Sequence, residues 1–192
     1  MTRYLDIVCP IVDERSLVQN VLIAMENPHD PAPRQQSTGE FRLDSDHADR
    51  VIPEGWPTLI TARSPMSLRK RVEILARYFR REFGYDFVNF TAQPRDPKCE
   101  AWLWTTNQEG RMYATGHAVF WKQHFADRQE PEWELGSVWQ HPYFRGEGRL
   151  SEVWPHWAAS YGPFWVCRPW SPAMAAFMDK TPHRFPDGTS LP

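Results

Sequence analysis

Apolar positions recur along this chain with two different periods, and the change of period marks its elements. Leu68, Val72, Leu75, Phe79 and Phe83 follow one another at helical spacing, after Ser64-Pro65 and before Gly84. Serine caps free N–H groups, proline suits a first helical turn, and glycine ends helices in the left-handed conformation. The pattern therefore predicts a helix opened by Ser64-Pro65 and stopped at Gly84. Its other face carries Arg69, Lys70, Arg71, Arg77, Arg80 and Arg81, and reads as a solvated surface partly paired with Glu73 and Glu82. Residues 56–62 read as a strand before it. Residues 100–106 and 112–123 hold Trp102, Trp104, Tyr113, Val119, Phe120 and Trp121, the aromatic and β-branched types that strands favour. They read as a hairpin turning at Asn107-Gln108-Glu109-Gly110. Residues 133–140 follow as a third antiparallel neighbour. With side chains alternating, Glu134, Gly136, Val138 and Gln140 share one face of that strand.

The period then changes again. A glycine-bearing basic loop is followed by a helical run to Tyr161, a short apolar strand at 164–167, and a second helix opened by Ser171-Pro172. This is a βαβ crossover joined to an antiparallel region, which predicts a mixed α/β (α+β) fold. Pro155 inside the first of these helices removes a donor, so a kink or an end near Val153 is expected. In the second, Ala173, Met174, Ala176 and Phe177 would pack on the sheet. Residues 181–192 read as a Pro- and Gly-rich tail. At the other end, residues 4–12 suit a strand and 14–25 a helix. Residues 27–55, rich in Pro, Asp, Gln and Ser, suit a long connection or a lid.

Composition narrows the class. The 192 residues suit one domain with an extension, 41% of them are apolar, and ten are tryptophan, so the core or a cleft must be aromatic. A net charge of −2 argues against a generic nucleic-acid binder. Cys9, Cys99 and Cys167 are odd in number and widely spaced, which reads as reduced thiols rather than a disulfide framework. His117, His124, His141 and His156 lack compact ligand spacing, so no metal is expected. Ser137 and Ser171 have no nucleophile-elbow setting. No apolar run approaches the roughly 20 residues that span a bilayer, and acidic residues come too early for a signal peptide. The expectation is a soluble, cytoplasmic protein that binds neither membrane nor nucleic acid.

The chemistry concentrates in residues 133–177. A basic, glycine-bearing loop between a strand and a helix offers free backbone N–H groups and partial positive charge to a phosphate. Gly146 and Gly148 permit unusual φ and close approach, while Arg145 and Arg149 add charge complementarity. Glu147, an awkward neighbour for phosphate, should face solvent. Glu134, near an aromatic wall, could have a raised pKa and act as a base near neutrality. Trp139, beside the same strand, could stack on a nucleobase or serve the core.

His141-Pro142-Tyr143-Phe144-Arg145-Gly146-Glu147-Gly148-Arg149-Leu150 resembles the acetyl-CoA-binding motif of the GNAT superfamily of N-acetyltransferases. Arg145 and Gly148 match the motif, and Leu150 stands where Gly or Ala is usual. The resemblance covers about 100–177 and extends back to Trp56. It implies an extension at 1–55, a GNAT-like domain at 56–180 and a tail at 181–192. It also implies a central mixed, mostly antiparallel sheet flanked by helices, with a V-shaped cleft between the strands 133–140 and 164–167. Acetyl-CoA, as co-substrate, would lie in that cleft. Arg145, Gly146, Glu147, Gly148, Arg149 and Leu150 would meet its pyrophosphate, and Val138, Trp139 and Gln140 its pantetheine. The implied reaction is direct attack by an amine on the thioester, with Glu134 as base and His141 in reserve. Leu150 would crowd the loop. Phe177 occupies the place of the usual tyrosine acid, which leaves water, Tyr161 or Ser171 as substitutes. The substrate side would be open, or completed by the extension or by a second copy in a homodimer. The alternative is a catalytically degenerate binding or inhibitory module of the same fold, acting on a macromolecular partner.

Overall fold

The computed structural model describes residues 56–108, 111–125 and 128–191. The strand, helix and arm expected before residue 56, and the turn at Glu109-Gly110, lie outside them. The elements run β1 (Thr58–Ile60), α1 (Met66–Phe83), β2 (Cys99–Gln108), β3 (Arg111–Gln123), β4 (Glu132–Gln140), a 3-10 turn (Pro142–Phe144), α2 (Arg149–Tyr161), β5 (Trp165–Val166), α3 (Pro172–Met178), β6 (His183–Arg184) and β7 (Ser190–Leu191). Strands β1 to β5 form one sheet in sequence order, antiparallel except for the parallel pair β4–β5. This is a mixed, mostly antiparallel sheet flanked by helices, as expected.

Alternation along β2 separates two apolar layers. Cys99, Ala101 and Leu103 meet α1 through Val72, Leu75, Ala76 and Phe79. Trp102 and Trp104 point the other way, onto Trp154 and Trp157 of α2, with Phe120, Leu135 and Phe164 between. Most of the tryptophans thus serve the core, whose rings meet edge-on at 5.1 Å (Phe120–Trp157) or stack at 4.2 Å (Phe120–Tyr161).

Arg69 departs from the exposed face expected of it. It is 1% exposed, and its guanidinium donates to the carbonyls of Thr61 (2.8 Å), Ala92 (3.1 Å) and Thr91 (3.4 Å). Helical spacing puts Arg69 one turn before Val72, on the buried side. The charge is carried there because its planar guanidinium meets carbonyls of two loops at once, those of Thr91 and Ala92 and that of Thr61, which also accepts the Ser64 N–H at 3.2 Å. The helix start also differs. Ser64 accepts from the N–H of Thr61 (3.0 Å) instead of capping α1, and Pro65 takes the cap position. Gly84 stops the helix at φ +70°, as expected.

Pro155 neither ends nor shortens α2, which is continuous to Tyr161. Pro155 and Ser151 both lie on the exposed side, so the carbonyl that loses its helical donor faces water and the lost bond costs little. Residues 181–191, expected as a tail, form a two-stranded hairpin of two residue pairs. His183 fastens it to the sheet by a 2.8 Å bond to the Phe164 carbonyl. No helix among the described residues is long and apolar enough to cross a membrane.

Arg69→Ala should lower unfolding stability by about 3 kcal/mol or more, because buried carbonyls lose charged donors. Exposed Arg81→Ala should change it by less than about 0.5 kcal/mol. Urea titration of both variants checks the difference; equal effects would refute the buried-staple account.

Candidate functional site

The site begins where β4 loses its neighbour. β5 pairs with β4 only at Glu134↔Trp165 and Leu135↔Val166, and the last link is Cys167 N–H to the Leu135 carbonyl at 2.9 Å. Beyond it, residues 137–140 are paired to β3 on one side and, among the described residues, to no strand on the other. A strand edge without a partner presents backbone donors and acceptors to a ligand. Val138, Trp139 and Gln140 all fall on this stretch.

A β-bulge corrects the expected sharing of faces. The β3–β4 register passes from Val119↔Ser137 to Phe120↔Leu135, leaving Gly136 as the extra residue. Val138 and Gln140 pair with Ala118 and Gly116 and face α2, whereas Glu134 pairs with Trp121 and faces α1. Glu134 is therefore on the opposite side of the sheet from Val138. A Cβ at Gly136 would press on the Trp121 ring at 3.3 Å, which is tight enough to favour glycine there.

Glu134 is half-buried. Burial raises its pKa, opposed by hydrogen bonds from Cys167 and Gln123. Cys167 is exposed, and its own thiol is pushed up by burial of its sulfur and then by the Glu134 charge. Tyr85, stacked on Phe79 at 4.9 Å, donates to the Pro169 carbonyl at 3.3 Å and ties the end of α1 to the segment after β5.

After β4 the chain turns through the 3-10 turn into the loop. Gly146 and Gly148 both adopt φ +79°, a conformation that L side chains adopt at a cost. Nothing stands within 4 Å of a Cβ built at either, so φ alone selects glycine. Gly148 caps α2 without a side-chain bond, which leaves the first N–H groups of the helix without helical partners. Leu150, expected to crowd the loop, packs on the tryptophan layer instead and offers the loop only its backbone.

Both loop arginines are already engaged. Arg145 donates to the Gln140 carbonyl (2.8 Å) and to Glu82 Oε2 (2.7 Å). Arg149 makes two bonds to Glu147, at 2.9 and 2.8 Å, and one to Thr115 Oγ1 at 3.3 Å. Glu147 is exposed as expected, but it chelates Arg149 rather than pointing free. Glu82, which the sequence pattern marked only as a neutraliser of the α1 face, also accepts the Trp139 indole N–H at 2.6 Å. Trp139 is 2% exposed and belongs to the core. His141 N–H bonds the Thr115 carbonyl while the Gln140 carbonyl turns outward to Arg145, so by strand alternation the Trp139 backbone points to β3 and that of Val138 to the open edge.

His141 is held by the turn it begins. Its Nδ1 accepts the Tyr143 N–H at 3.3 Å, which leaves the ring proton on Nε2. Burial, then the Arg145 charge, lowers its pKa to about 4. The ring's lone pair is thus engaged in the turn. The proposed acid substitutes are also occupied. Tyr161 donates to Glu100 (2.9 Å) and accepts from Trp102 (2.8 Å), and burial, then Glu100, raises its pKa well above the usual range. Ser171 Oγ caps α3 by accepting from Met174 N–H at 3.2 Å. Phe177 packs on Trp154 at 4.9 Å. Among the described residues, no three of His, Cys, Asp and Glu converge as a metal site would need.

A phosphate-and-amide ligand fits this arrangement on two counts: the uncapped start of α2, and the Gln140 carboxamide. That carboxamide lies over Gly116, where a Cβ would overlap it, and neither of its polar atoms has a partner.

No family model matches the chain, and no curated protein matches it. Among solved structures it is similar to a ribosomal-protein-alanine N-acetyltransferase from Brucella melitensis biovar Abortus 2308, at 15% identity and TM-score 0.45, over 65% of this chain and 86% of that one. It is also similar to AtaTR bound with AcCoA, at 15% identity and TM-score 0.40, over 71% of this chain and 91% of that one.

Three buried histidines set a pH dependence. Burial lowers His117 to about 3 and His141 to about 4, and lowers His183 against its Phe164 bond. Their folded pKa values lie below the unfolded value of about 6.5. Their contribution is therefore complete above that pH and is lost as pH falls. Stability should drop between pH 7 and 5 by roughly 2 kcal/mol for His117 alone. Urea titrations at both pH values should show a smaller drop for His117→Asn; an unchanged drop would refute the assignment.

Proposed function

We propose that this protein is an acetyl-CoA-dependent N-acetyltransferase acting by direct transfer in a ternary complex. The observation that carries the reading is the early end of the β4–β5 pairing. It opens one edge of residues 136–140 directly before a loop with two left-handed glycines and an uncapped helix. Acetyl-CoA supplies the acetyl group as a thioester. The N–H groups of residues 146–150 receive the pyrophosphate, and the outward backbone groups of β4, those of Val138 and the N–H of Gln140, receive the pantetheine amides. The outward N–H of Val138 stabilises the developing oxyanion.

Glu134 accepts the proton of the attacking amine, directly or through water. Its position at the bulge is consistent with that role, since burial keeps its carboxyl above the usual range and Gln123 holds its orientation. His141 acts as a positioning residue that shapes the turn into the loop. With Tyr161, Ser171 and Phe177 committed elsewhere, water protonates the departing thiolate. The acceptor is an amine on a small molecule or a protein, met in the cytoplasm, where thiols such as Cys167 stay reduced.

Calorimetry with coenzyme A should show binding by the wild type, and absence of binding would end this reading. Gly148→Asp should abolish binding without unfolding, because aspartate tolerates positive φ while placing a carboxylate at the phosphate position.

Glu134→Gln should leave coenzyme A affinity unchanged and lower kcat about 100-fold or more in a thioester-consumption assay with an amine panel. The rate of the wild type should fall as pH drops through the raised pKa of Glu134, since only the deprotonated form accepts a proton. Full activity in Glu134→Gln would remove Glu134 from the mechanism. A stable complex with a macromolecule, formed without turnover, would favour the binding-module alternative.

A further inference from the structure

Glu82 stands at the last turn of α1, outside the loop and outside the motif. It is an anion beside a proposed anion site, and a simple charge count would make it a competitor for the cofactor. Its contacts argue otherwise. One oxygen, Oε2, accepts both the Trp139 indole N–H at 2.6 Å and the Arg145 guanidinium at 2.7 Å. Arg145 spends a second donor, Nε–H, on the Gln140 carbonyl at 2.8 Å, and its guanidinium lies 5.9 Å from the Trp139 ring centroid. Three pieces of chain meet there: α1, the free end of β4, and the residue that enters the glycine loop. The Glu82 side chain is 16% exposed and that of Arg145 41%, so the carboxylate is on the inner side and the guanidinium keeps its outer donors open. Two fixed donors of the five on a planar guanidinium determine its orientation.

We propose that Glu82 is a positioning residue of the phosphate loop: it fixes Arg145, and through it the path of residues 145–148, so that the loop binds phosphate because of this carboxylate rather than in spite of it. The proposal rests on the acetyl-CoA reading for its ligand. The two views of Glu82 predict opposite signs. A competitor, once neutralised, gives tighter binding; a positioning residue, once removed, gives weaker binding, because the loop and guanidinium must then be ordered at the expense of binding energy.

The test uses coenzyme A itself and three variants, Glu82→Gln, Arg145→Ala and Glu82→Gln/Arg145→Ala, followed by calorimetry and by hydrogen exchange of the free protein. Glu82→Gln should weaken coenzyme A binding about ten-fold, the scale of one lost charged hydrogen bond. Because Glu82 acts through Arg145, the double variant should bind no more weakly than Arg145→Ala. Without ligand, amides of residues 145–149 should exchange faster in Glu82→Gln than in the wild type. Tighter or unchanged binding in Glu82→Gln, or additive losses in the double variant, would overturn the proposal. If the wild type binds no coenzyme A, the acetyl-CoA reading fails, and unchanged exchange at 145–149 would then overturn the positioning role on its own.

Discussion

The rest of the structure depends on a hydrogen-bond ladder that stops early. β4 is nine residues long, but β5 matches only two of them. A backbone edge inside a folded domain demands partners, and a sheet usually supplies them with another strand. Here α2 leaves the end of β4 through a loop and returns along the sheet, so β5 arrives only at the closed end. The edge that remains lies between two apolar layers, the α1 layer and the tryptophan layer on α2. Those layers fix β4 and β5 from both faces of the sheet, so the core sets where the pairing ends as much as the residues of the edge do.

Electrostatics follow the same division. Inside the layers, ionisable groups are kept neutral or fully bonded: His117 and His141 lose their basicity to burial, and Arg69 is surrounded by carbonyls. Around the opening, charges are kept and paired, Arg145 with Glu82 and Arg149 with Glu147. Paired charges at a half-exposed loop contribute little stability, but they restrict where each guanidinium can point. On the acetyl-CoA reading, the loop would meet an anion with its donors oriented beforehand, and binding strength would come from backbone N–H groups at α2 as well as from side-chain charge.

Much of this was legible in sequence because local rules acted alone. The apolar spacing of Leu68 to Phe79 marked α1, Gly84 marked its end, and the five strands of the main sheet came within a few residues of their observed bounds, whereas the hairpin β6–β7 was read as a tail. The loop glycines were legible because positive φ is a local demand. What failed were inferences that needed a neighbour. Arg69 looked like surface because nothing local says that three carbonyls await it. Glu134 was placed on the face of Val138 because the extra residue of a bulge is invisible until β3 supplies the register. Pro155 threatened α2 until its exposed side made the lost bond cheap.

By itself the sequence determined the order of the elements, the position of the glycine loop between strand and helix, and the aromatic character of the core, all consequences of period and residue type over short spans. The tertiary structure alone decided where β5 stops on β4, which face Glu134 takes, and that Glu82 reaches Trp139 and Arg145, residues 57 and 63 positions away. Those are contacts between distant segments, and no local preference encodes them; they arise only when two packed layers bring the segments to hydrogen-bond distance.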